Sequence, residues 1–322
     1  MILERVTGNP IIERGDIPAI PPAFVDVSSV FNPGAAMVDD KVLLLLRVQS
    51  RGRETGLVRA WSHDGFRFRV AQELVEVRGP EEADLTAHHV YDPRLTVVDG
   101  EVICTVAMDT DEGCRIGTGR LGADGVLALA GVSPPDSRNG VVFPGRVDGR
   151  WLRLERPNTA RRPGAPMTGD TIVLSESDDL AAWTPRGEVM AGRPRSWDEL
   201  IGPGTPPLRT REGWLFLYHG VATHFQGVNV YQAGAALLDL EDPLRVVART
   251  RRNILEPREP YELAGQVPNV VFPTGWVADA VDADGFVETD AELKIYYGAA
   301  DTVVGLAVGN VGDLLGACRD AG

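Results

Sequence analysis

One pattern recurs five times along the chain: a polar turn followed by an apolar strand that ends in polar or small residues. The five segments are VDDKVLLLLRVQS from Val38, VDGEVICTVAMDT from Val98, VDGRWLRLERPNT from Val147, TREGWLFLYHGVA from Thr210 and DAELKIYYGAADT from Asp290. Pairs such as Asp-Gly before a strand are typical of tight hairpin turns, and intervals of roughly 50 to 80 residues each have room for one four-stranded sheet. A two-sheet sandwich would fit the composition, but fivefold recurrence favours radial closure. We therefore predict an all-β fold, a five-bladed β-propeller that forms a single domain over residues 1–322.

The repeat also predicts which side chains meet. Five residues after the first apolar residue of each segment come Arg47, Ala107, Arg156, His219 and Gly298. If each segment is an inner strand, these positions surround the central channel at a similar depth. Two arginines and a histidine would then form a cationic pocket inside an acidic protein. The alternative, that they are strand-end residues in solvent, stays open on periodicity alone.

Composition restricts the class of partner. The 322 residues carry a formal net charge of −14, which disfavours binding to nucleic acid or to anionic membranes. No apolar run reaches the roughly 20 residues that span a bilayer, and the N-terminus lacks the apolar region of a signal peptide. The three cysteines show no CxxC spacing. We expect a cytoplasmic protein without a metal or an organic cofactor, and the sequence leaves self-association into a homo-oligomer open.

Asp92 stands in HHVYDPR, directly before Pro93 and two residues before Arg94. The proline biases Asp92 toward an extended backbone, in which the side chains of Asp92 and Arg94 leave the same face. An aspartate beside a proline is usually a turn former. A carboxyl group that acts as an acid needs a raised pKa and a nearby acceptor oxygen, and the residues alone do not choose between the two roles.

Seven motifs resemble, in order, those of glycoside hydrolase family 130. They are FNPGAA at Phe31, YDPR at Tyr91, DSRNGVVFPGRVDGRWLRLERP from Asp136, IGPGTPPLRTREGWLFLYHG from Ile201, YQAGAALLDLEDP from Tyr231, GQVPNVVFPTG from Gly265 and YYGAAD from Tyr296. Because seven ordered matches are very improbable by coincidence, the chain is identified as a member of this family. The resemblance implies a five-bladed propeller, in agreement with the repeat.

The resemblance implies inverting cleavage of a β-mannoside oligosaccharide. In the family's phosphorylases, inorganic phosphate is the co-substrate: it attacks the anomeric carbon and releases α-mannose 1-phosphate. Asp92 matches the acid, which protonates the glycosidic oxygen through a hydroxyl group of the bound mannose. The positions that match sugar-binding residues are Asn32, Arg47, Tyr91 and Asp301, and Arg53 is placed to reach the sugar of the leaving group. An inverting reaction needs no protein nucleophile.

The phosphate ligands of the family match Arg138, Arg156, His219 and Tyr231. Guanidinium groups bind phosphate oxygens bidentately, so two arginines and a histidine can neutralise the anion. The sequence departs from the family's pattern in two places. Leu200 replaces a lysine commonly found before the IGPG motif, and Glu155 replaces a histidine that often precedes Arg156.

These departures keep other activities open. In the family's hydrolases the phosphate ligands are lost and carboxylates activate water, a role for which Glu155 and Glu199 are candidate bases. Glu155 adjoins Arg156 on a strand, however, and should face the opposite way. A non-catalytic carbohydrate-binding propeller is a third alternative, but it gives Asp92 no reason to lie among sugar-binding residues. Phosphorolysis is our first interpretation, because four phosphate-binding positions remain basic or hydroxylic.

Overall fold

The computed structural model describes residues 2–79, 86–158, 169–223 and 228–320. Within these ranges the chain forms five sheets of mainly antiparallel strands, arranged as the blades of a five-bladed β-propeller. Each sheet contacts its neighbours around the central channel, in most cases through its first strand. The fold predicted from the fivefold repeat is thereby confirmed.

The first two blades are built from consecutive strands. Strand β1 (Leu3–Arg5) and a 3₁₀ turn (Arg14–Asp16) precede them. The first blade contains β2 (Val27–Val38), β3 (Lys41–Ser50), β4 (Thr55–Ser62) and β5 (Arg69–Leu74) in that order from the channel outward. The second contains β6 (Glu76–Arg78) at its outer edge and β7 (Ala87–Val98), β8 (Glu101–Thr110), β9 (Gly113–Leu121) and β10 (Val126–Val132), with β7 innermost.

The remaining three blades follow the same plan. The third contains β11 (Ser137–Val142), β12 (Trp151–Pro157), β13 (Thr171–Ser177) and β14 (Thr184–Ala191). The fourth contains β15 (Leu200–Pro203), β16 (Leu208–Thr210), β17 (Gly213–Ala222), β18 (Val230–Leu238) and β19 (Val246–Arg249). The short helix α1 (Pro260–Leu263) leads to the fifth blade, which contains β20 (Val271–Ala278), β21 (Glu292–Ala299) and β22 (Val303–Asn310) and is followed by helix α2 (Val311–Arg319). In the described ranges, no helix is long and apolar enough to cross a membrane.

The N-terminal strand closes the ring. Strand β1 pairs antiparallel with β22, Leu3 lying opposite Gly309, and so becomes the outer strand of the fifth blade. Arg5 on this strand donates from Nε to Glu262 Oε1 at 2.7 Å, and Glu262 is completely buried. A buried carboxylate is stable only when it is paired, so this ion pair ties the start of the chain to helix α1.

The turn chemistry of the repeat explains the hairpins. In each of the first three blades, the connection between the first and second strands contains two consecutive residues with a positive φ: Asp39 and Asp40, Asp99 and Gly100, Asp148 and Gly149. This is the backbone of a type I′ turn, whose twist matches that of two antiparallel strands and which favours Asp, Asn and Gly. The tight turns predicted there are confirmed.

One placement predicted from the repeat is wrong. The five repeated segments correspond to β3, β8, β12, β17 and β21, which are the second strands of their blades and not the innermost ones. The reason is that the turn in each repeat joins the first strand to the second, so the innermost strand precedes the turn. The cationic side chains nevertheless lie directly opposite innermost-strand residues: Arg47 opposite Phe31, Arg156 opposite Arg138, and His219 opposite Gly202.

Apolar faces of neighbouring blades pack against each other and form the core. Between the fourth and fifth blades, Leu217, Val271 and Leu293 are fully buried, and helix α2 covers the cluster with Leu314 and Leu315. Full burial of such a side chain stabilises the folded chain by about 1.5–3 kcal/mol. The packed core holds the inner strands in place, and these strands carry the polar residues described next.

Candidate active site

Three blades present a polar side chain to the channel in the same way. The pairing of first and second strands shifts register between Phe31 and Gly34, between Tyr91 and Arg94, and between Arg138 and Val141. At each shift one residue has a positive φ: Asn32 (46°), Asp92 (50°) and Asn139 (58°). Asn and Asp tolerate this left-handed conformation better than most residues. The three bulges place all three side chains on the wall of one cavity.

The bulge corrects the backbone predicted for Asp92. The bias that Pro93 exerts toward an extended conformation is overridden, since Asp92 has a φ of 50°. The predicted common face for Asp92 and Arg94 is also wrong. Asp92 lines the cavity, whereas Arg94 is only 1% exposed and does not line it. A bulge inserts residues without a paired partner, so strand alternation does not hold across it.

The cavity has a volume of about 320 Å³, within the range of small-molecule sites. Eight residues predicted from the sequence line it: Asn32, Arg47, Tyr91, Asp92, Arg138, Arg156, Tyr231 and Asp301. Five residues that were not predicted complete the wall: Asp109, Asn139, Val267, Val270 and Phe272. The fold therefore brings the predicted acid, sugar-binding and phosphate-binding positions to one place, and the role of each residue stays a prediction.

Asp92 is held by two donors. Its Oδ1 accepts a hydrogen bond from Asn32 Nδ2 at 2.9 Å and from Arg47 Nη1 at 2.8 Å. Burial acts to raise the pKa of Asp92, but the positive charges of Arg47 and Arg94 and these hydrogen bonds outweigh it, so the pKa lies below its ordinary value. Asp92 is therefore a carboxylate that is fixed in position and must gain a proton to act as an acid.

Arg47 is positioned by two aromatic rings. Its guanidinium carbon lies 4.4 Å from the centre of the Phe31 ring and 4.5 Å from that of Tyr91. Cation–π contacts of this kind stabilise a partly desolvated arginine by about 0.5–2 kcal/mol. The Tyr91 hydroxyl group in turn donates to Asp109 Oδ1 at 2.7 Å. Asp92, Arg47, Tyr91 and Asp109 thus form one continuous polar wall.

Asp301 is the second carboxyl group close to Asp92. Burial, followed by the negative charge of Asp92, raises the pKa of Asp301 to about 6, although Arg47 opposes the rise. Two neighbouring carboxyl groups with pKa values displaced in opposite directions are typical of sites that hold and transfer a proton. Near neutral pH a proton on this part of the wall is therefore bound more tightly by Asp301 than by Asp92.

Two arginines form the cationic part of the wall. Arg138 and Arg156 lie opposite each other on β11 and β12, and neither forms an ion pair with a carboxylate of the described residues. Among the described residues, Arg156 contacts only neutral groups: Nη2 donates to Asn158 Oδ1 at 3.2 Å, and the Nε of both arginines is buried without a partner there. Burial, and then the like charge of Arg138, lower the pKa of Arg156 to about 10. Both groups stay charged at neutral pH and are short of a counter-ion.

His219 contacts Arg156 from the protein interior. It is completely buried and does not line the cavity, and its Nε2 lies 3.3 Å from Arg156 Nη1. Burial, and then the charge of Arg156, lower the pKa of His219 well below its ordinary value, so the imidazole is neutral. A guanidinium can only donate, so Nε2 is the acceptor. The Phe272 ring centre lies 4.6 Å from that of the imidazole, and His219 contacts the Arg156 side chain from the side away from the cavity.

A second cavity adjoins the first. It has a volume of about 560 Å³ and shares Arg47, Val267 and Asp301 with the first cavity. Arg53, whose φ is 72°, lines only the second cavity. The shared residues mark the boundary that a disaccharide lying across both cavities would span. The second cavity contains Arg53, the residue predicted from the sequence to reach the sugar of the leaving group.

Comparison with known proteins identifies the family. The family model described as β-1,4-mannooligosaccharide phosphorylase, of glycoside hydrolase family 130, matches residues 3–320. The chain belongs to glycoside hydrolase family 130. It is therefore a carbohydrate-active phosphorylase of the β-mannoside phosphorylase family, as the motifs indicated.

Individual members of family 130 are similar over most of the chain. The β-1,4-mannooligosaccharide phosphorylase of Ruminococcus albus is 30% identical over 98% of this chain and 90% of its own length. The 1,2-β-oligomannan phosphorylase of a Thermoanaerobacter species is 36% identical over 55% of this chain and 52% of its own length. The structure of the Listeria innocua β-1,2-mannobiose phosphorylase in complex with β-1,2-mannobiose superposes with a TM-score of 0.83, at 25% identity, over 99% of this chain and 100% of that one.

The two carboxylates considered as bases for a family 130 hydrolase lie outside both cavities. Glu155 is 8% exposed and accepts hydrogen bonds from Arg153 Nη2 at 2.5 Å and from Ser175 Oγ at 2.6 Å. It therefore faces away from Arg156, as strand alternation predicted. Glu199 accepts from Thr223 Oγ1 at 2.7 Å. The structure brings neither carboxylate to the predicted site.

Three polar or aromatic wall residues were missed by sequence reasoning. Asn139, Asp109 and Phe272 line the cavity, and Asn139 Nδ2 is buried without a hydrogen-bond partner in the described part of the chain. A signal for Asn139 existed in the sequence, because FNP, YDP and RNG each place Asn or Asp before a proline or glycine on a first strand. That recurrence corresponds to the three bulges. Asp109 and Phe272 carried no comparable signal, since each continues an ordinary strand.

Proposed function

We propose that this protein is an inverting β-mannoside phosphorylase in which phosphate attacks the anomeric carbon of a bound β-mannosyl residue and α-mannose 1-phosphate is released. The observation that supports it most strongly is the pair formed by the buried Arg156 and the half-buried Arg138, which share a cavity with Asp92 and have no carboxylate partner among the described residues. A buried cation without a counter-ion is unfavourable. A phosphate ion would remove that cost and receive bidentate hydrogen bonds.

Asp92 is proposed to supply the proton that the leaving sugar needs. A phosphate dianion bound beside Arg138 adds negative charge to the cavity, which raises the pKa of nearby carboxyl groups and favours the protonated form of Asp92. The proton passes through a hydroxyl group of the mannose to the glycosidic oxygen as the bond to the anomeric carbon breaks. After HPO₄²⁻ has attacked, the proton of the new phosphate ester returns to the carboxylate, so the protons balance over one turnover.

The sugar is proposed to occupy both cavities. Asn32, Arg47, Tyr91 and Asp301 offer donors and acceptors to the mannose in the first cavity, and Arg53 offers donors to the leaving sugar in the second. Asn139, Tyr231 and Arg156 would bind the phosphate, with His219 supporting Arg156. Every blade contributes a residue to the wall of the first cavity, and we infer that the five blades act as one catalytic domain.

Hydrolysis receives less support. A water nucleophile would need a carboxylate base, and Glu155 and Glu199 are engaged elsewhere. Asp109 is the remaining carboxylate on the wall besides Asp92 and Asp301, and it accepts the hydrogen bond of Tyr91. No observation favours it as a base over the arginine pair as a phosphate site.

The glycosidic linkage that is cleaved, and the sugars that it joins, are the more specific part of the proposal. The relatives are named for β-1,4-mannooligosaccharides, β-1,2-oligomannan and β-1,2-mannobiose, so we propose a manno-configured donor and leave the acceptor to experiment.

A panel of β-1,2-mannobiose, β-1,4-mannobiose and β-mannosyl-1,4-glucose should be incubated with and without phosphate and analysed by ion chromatography. We expect mannose 1-phosphate from at least one substrate, with turnover saturating in phosphate. Free mannose formed at an unchanged rate without phosphate would contradict the proposal.

A matched pair of variants tests the arginine site. Arg138→Ala removes a proposed phosphate ligand, whereas Arg153→Ala removes a buried arginine that is already paired with Glu155. The first variant should raise the KM for phosphate with little change in the KM for the mannoside. The second should lower stability and leave the KM for phosphate unchanged. Equal effects of the two variants on the KM for phosphate would refute the assignment.

A further inference from the structure

Arg94 is a buried cation that the proposed chemistry does not use. Its side chain is 1% exposed and lines neither cavity. Burial is the main cause that lowers the pKa of Arg94 to about 10, so the group stays charged at neutral pH. A charged group completely inside a protein is costly unless its position is needed, which raises the question of what Arg94 holds.

The guanidinium group binds main-chain oxygens on two blades. Arg94 Nη1 donates to the carbonyl oxygen of Asp92 at 2.9 Å and to that of Pro93 at 3.2 Å. Arg94 Nε donates to the carbonyl oxygen of Gly204 at 2.7 Å, on the connection between β15 and β16. The same side chain therefore joins the bulge of the second blade to the fourth blade, across the channel.

The bulge is also confined from the first blade. A Cβ atom added to Gly34 would lie 3.0 Å from the carbonyl oxygen of Pro93, so a side chain at this position would crowd the bulge. Asp92 has a left-handed backbone in the middle of a strand, a conformation that needs support from its surroundings. Arg94 and Gly34 are the contacts that supply this support on the two sides of the bulge.

We propose that Arg94 is a positioning residue, whose guanidinium group clamps the Asp92–Pro93 bulge to the fourth blade and so keeps the Asp92 carboxyl group in place for proton transfer. The inference rests on the proposed acid role of Asp92. Displacing a catalytic group by about 1 Å can cost about 10²-fold in rate. Loss of the clamp should therefore lower kcat by about 10²-fold, with the KM values for phosphate and mannoside within about threefold of the unmodified enzyme.

A double-mutant cycle tests the proposal. Arg94→Met and Asp92→Asn are made singly and together, and kcat is measured with phosphate and the best β-mannobiose of the substrate panel. If Arg94 acts through Asp92, Arg94→Met should cost about 10²-fold in the unmodified enzyme and less than about threefold in the Asp92→Asn background. A loss of equal size in both backgrounds, or no loss in the first, would overturn the proposal.

Two further variants separate positioning from folding. Arg153→Met removes another arginine that is 1% exposed, and it should lower thermal stability while kcat per folded molecule stays within about twofold. Arg94→Lys keeps the positive charge and one donor nitrogen, and should recover about tenfold of the activity lost in Arg94→Met. If Arg94→Met does not fold, Arg94→Lys replaces it in the double-mutant cycle. Unchanged turnover in Asp92→Asn would instead refute the acid role of Asp92 itself, and the two failures are therefore distinguishable.

Discussion

Asp301→Asn should make the protein more stable at neutral pH. The raised pKa of Asp301, about 6 against an ordinary 3.8, means that the folded protein binds a proton here more tightly than the unfolded chain does. Between these two values the folded state holds a proton that the unfolded state has released, so the free energy of unfolding falls as the pH rises through the window. Above about pH 6 Asp301 is charged in the folded protein, and the full cost of burying that charge is present. Asparagine is neutral, so Asp301→Asn removes this cost.

The size of the effect follows from the same pKa. A tenfold change in proton affinity corresponds to about 1.36 kcal/mol, so the rise from 3.8 to about 6 corresponds to about 3 kcal/mol. Water in the cavity screens part of the charge, which makes this an upper value. We expect Asp301→Asn to raise the free energy of unfolding by up to about 3 kcal/mol at pH 7.5 and to leave it nearly unchanged below pH 4.

Urea unfolding at pH 7.5 and at pH 4, followed by tryptophan fluorescence, measures this difference. Asp92→Asn is the matched control, because its pKa is lowered in the folded protein and the same substitution should therefore reduce stability at pH 7.5. A gain of equal size at both pH values, or a loss for Asp301→Asn at pH 7.5, would refute the electrostatic reasoning. Stability gained by removing a carboxylate is expected where that carboxylate is retained for function.

Three further predictions concern the arginine pair and the closure of the ring. Arg156→Ala removes hydrogen bonds to a charged ligand, worth about 1.5–3 kcal/mol, and should raise the KM for phosphate by about 10- to 100-fold in steady-state kinetics; a change confined to kcat would contradict the ligand role. Gly202→Ala would place a Cβ atom 2.5 Å from His219 Cε1 and 3.0 Å from Arg156 Cδ and should weaken phosphate binding without changing any charge, as calorimetric titration with phosphate would show. Arg5→Ala leaves the buried carboxylate of Glu262 unpaired and should cost about 3–5 kcal/mol in urea unfolding, whereas a loss below about 1 kcal/mol would mean that this ion pair does not secure the N-terminal strand.

The propeller could be predicted because each repeat begins with residues that favour a tight turn. Paired Asp and Gly residues with positive φ are needed in the hairpins of the first three blades, and few other residues adopt that backbone. The same signal fixes strand spacing but not strand position within the blade. For that reason the repeated segments were assigned to the innermost strands, although the structure makes them the second ones.

The composition of the site could be predicted only in part. Eight wall residues followed from the repeat and the family resemblance. The extended backbone expected at Asp92 was wrong, because the bulge depends on contacts between blades, such as that of Arg94 with Gly204 and that of Gly34 with Pro93. The burial of His219 could not be predicted either, since strand register does not show whether a side chain beside Arg156 lies in the cavity or in the protein interior. Three-dimensional packing, and not local sequence, decides these points.

The origin of the oxygen on the anomeric carbon tests the central claim most directly. The enzyme is incubated with phosphate and a β-mannobiose in water enriched in ¹⁸O, and the first product is observed by ¹H and ³¹P nuclear magnetic resonance and by mass spectrometry. Phosphorolysis predicts α-mannose 1-phosphate as the initial product, without ¹⁸O at the anomeric carbon, and no turnover when phosphate is omitted. Mannose carrying ¹⁸O at that carbon, formed at the same rate with and without phosphate, would contradict the assignment of Arg138 and Arg156 as a phosphate site.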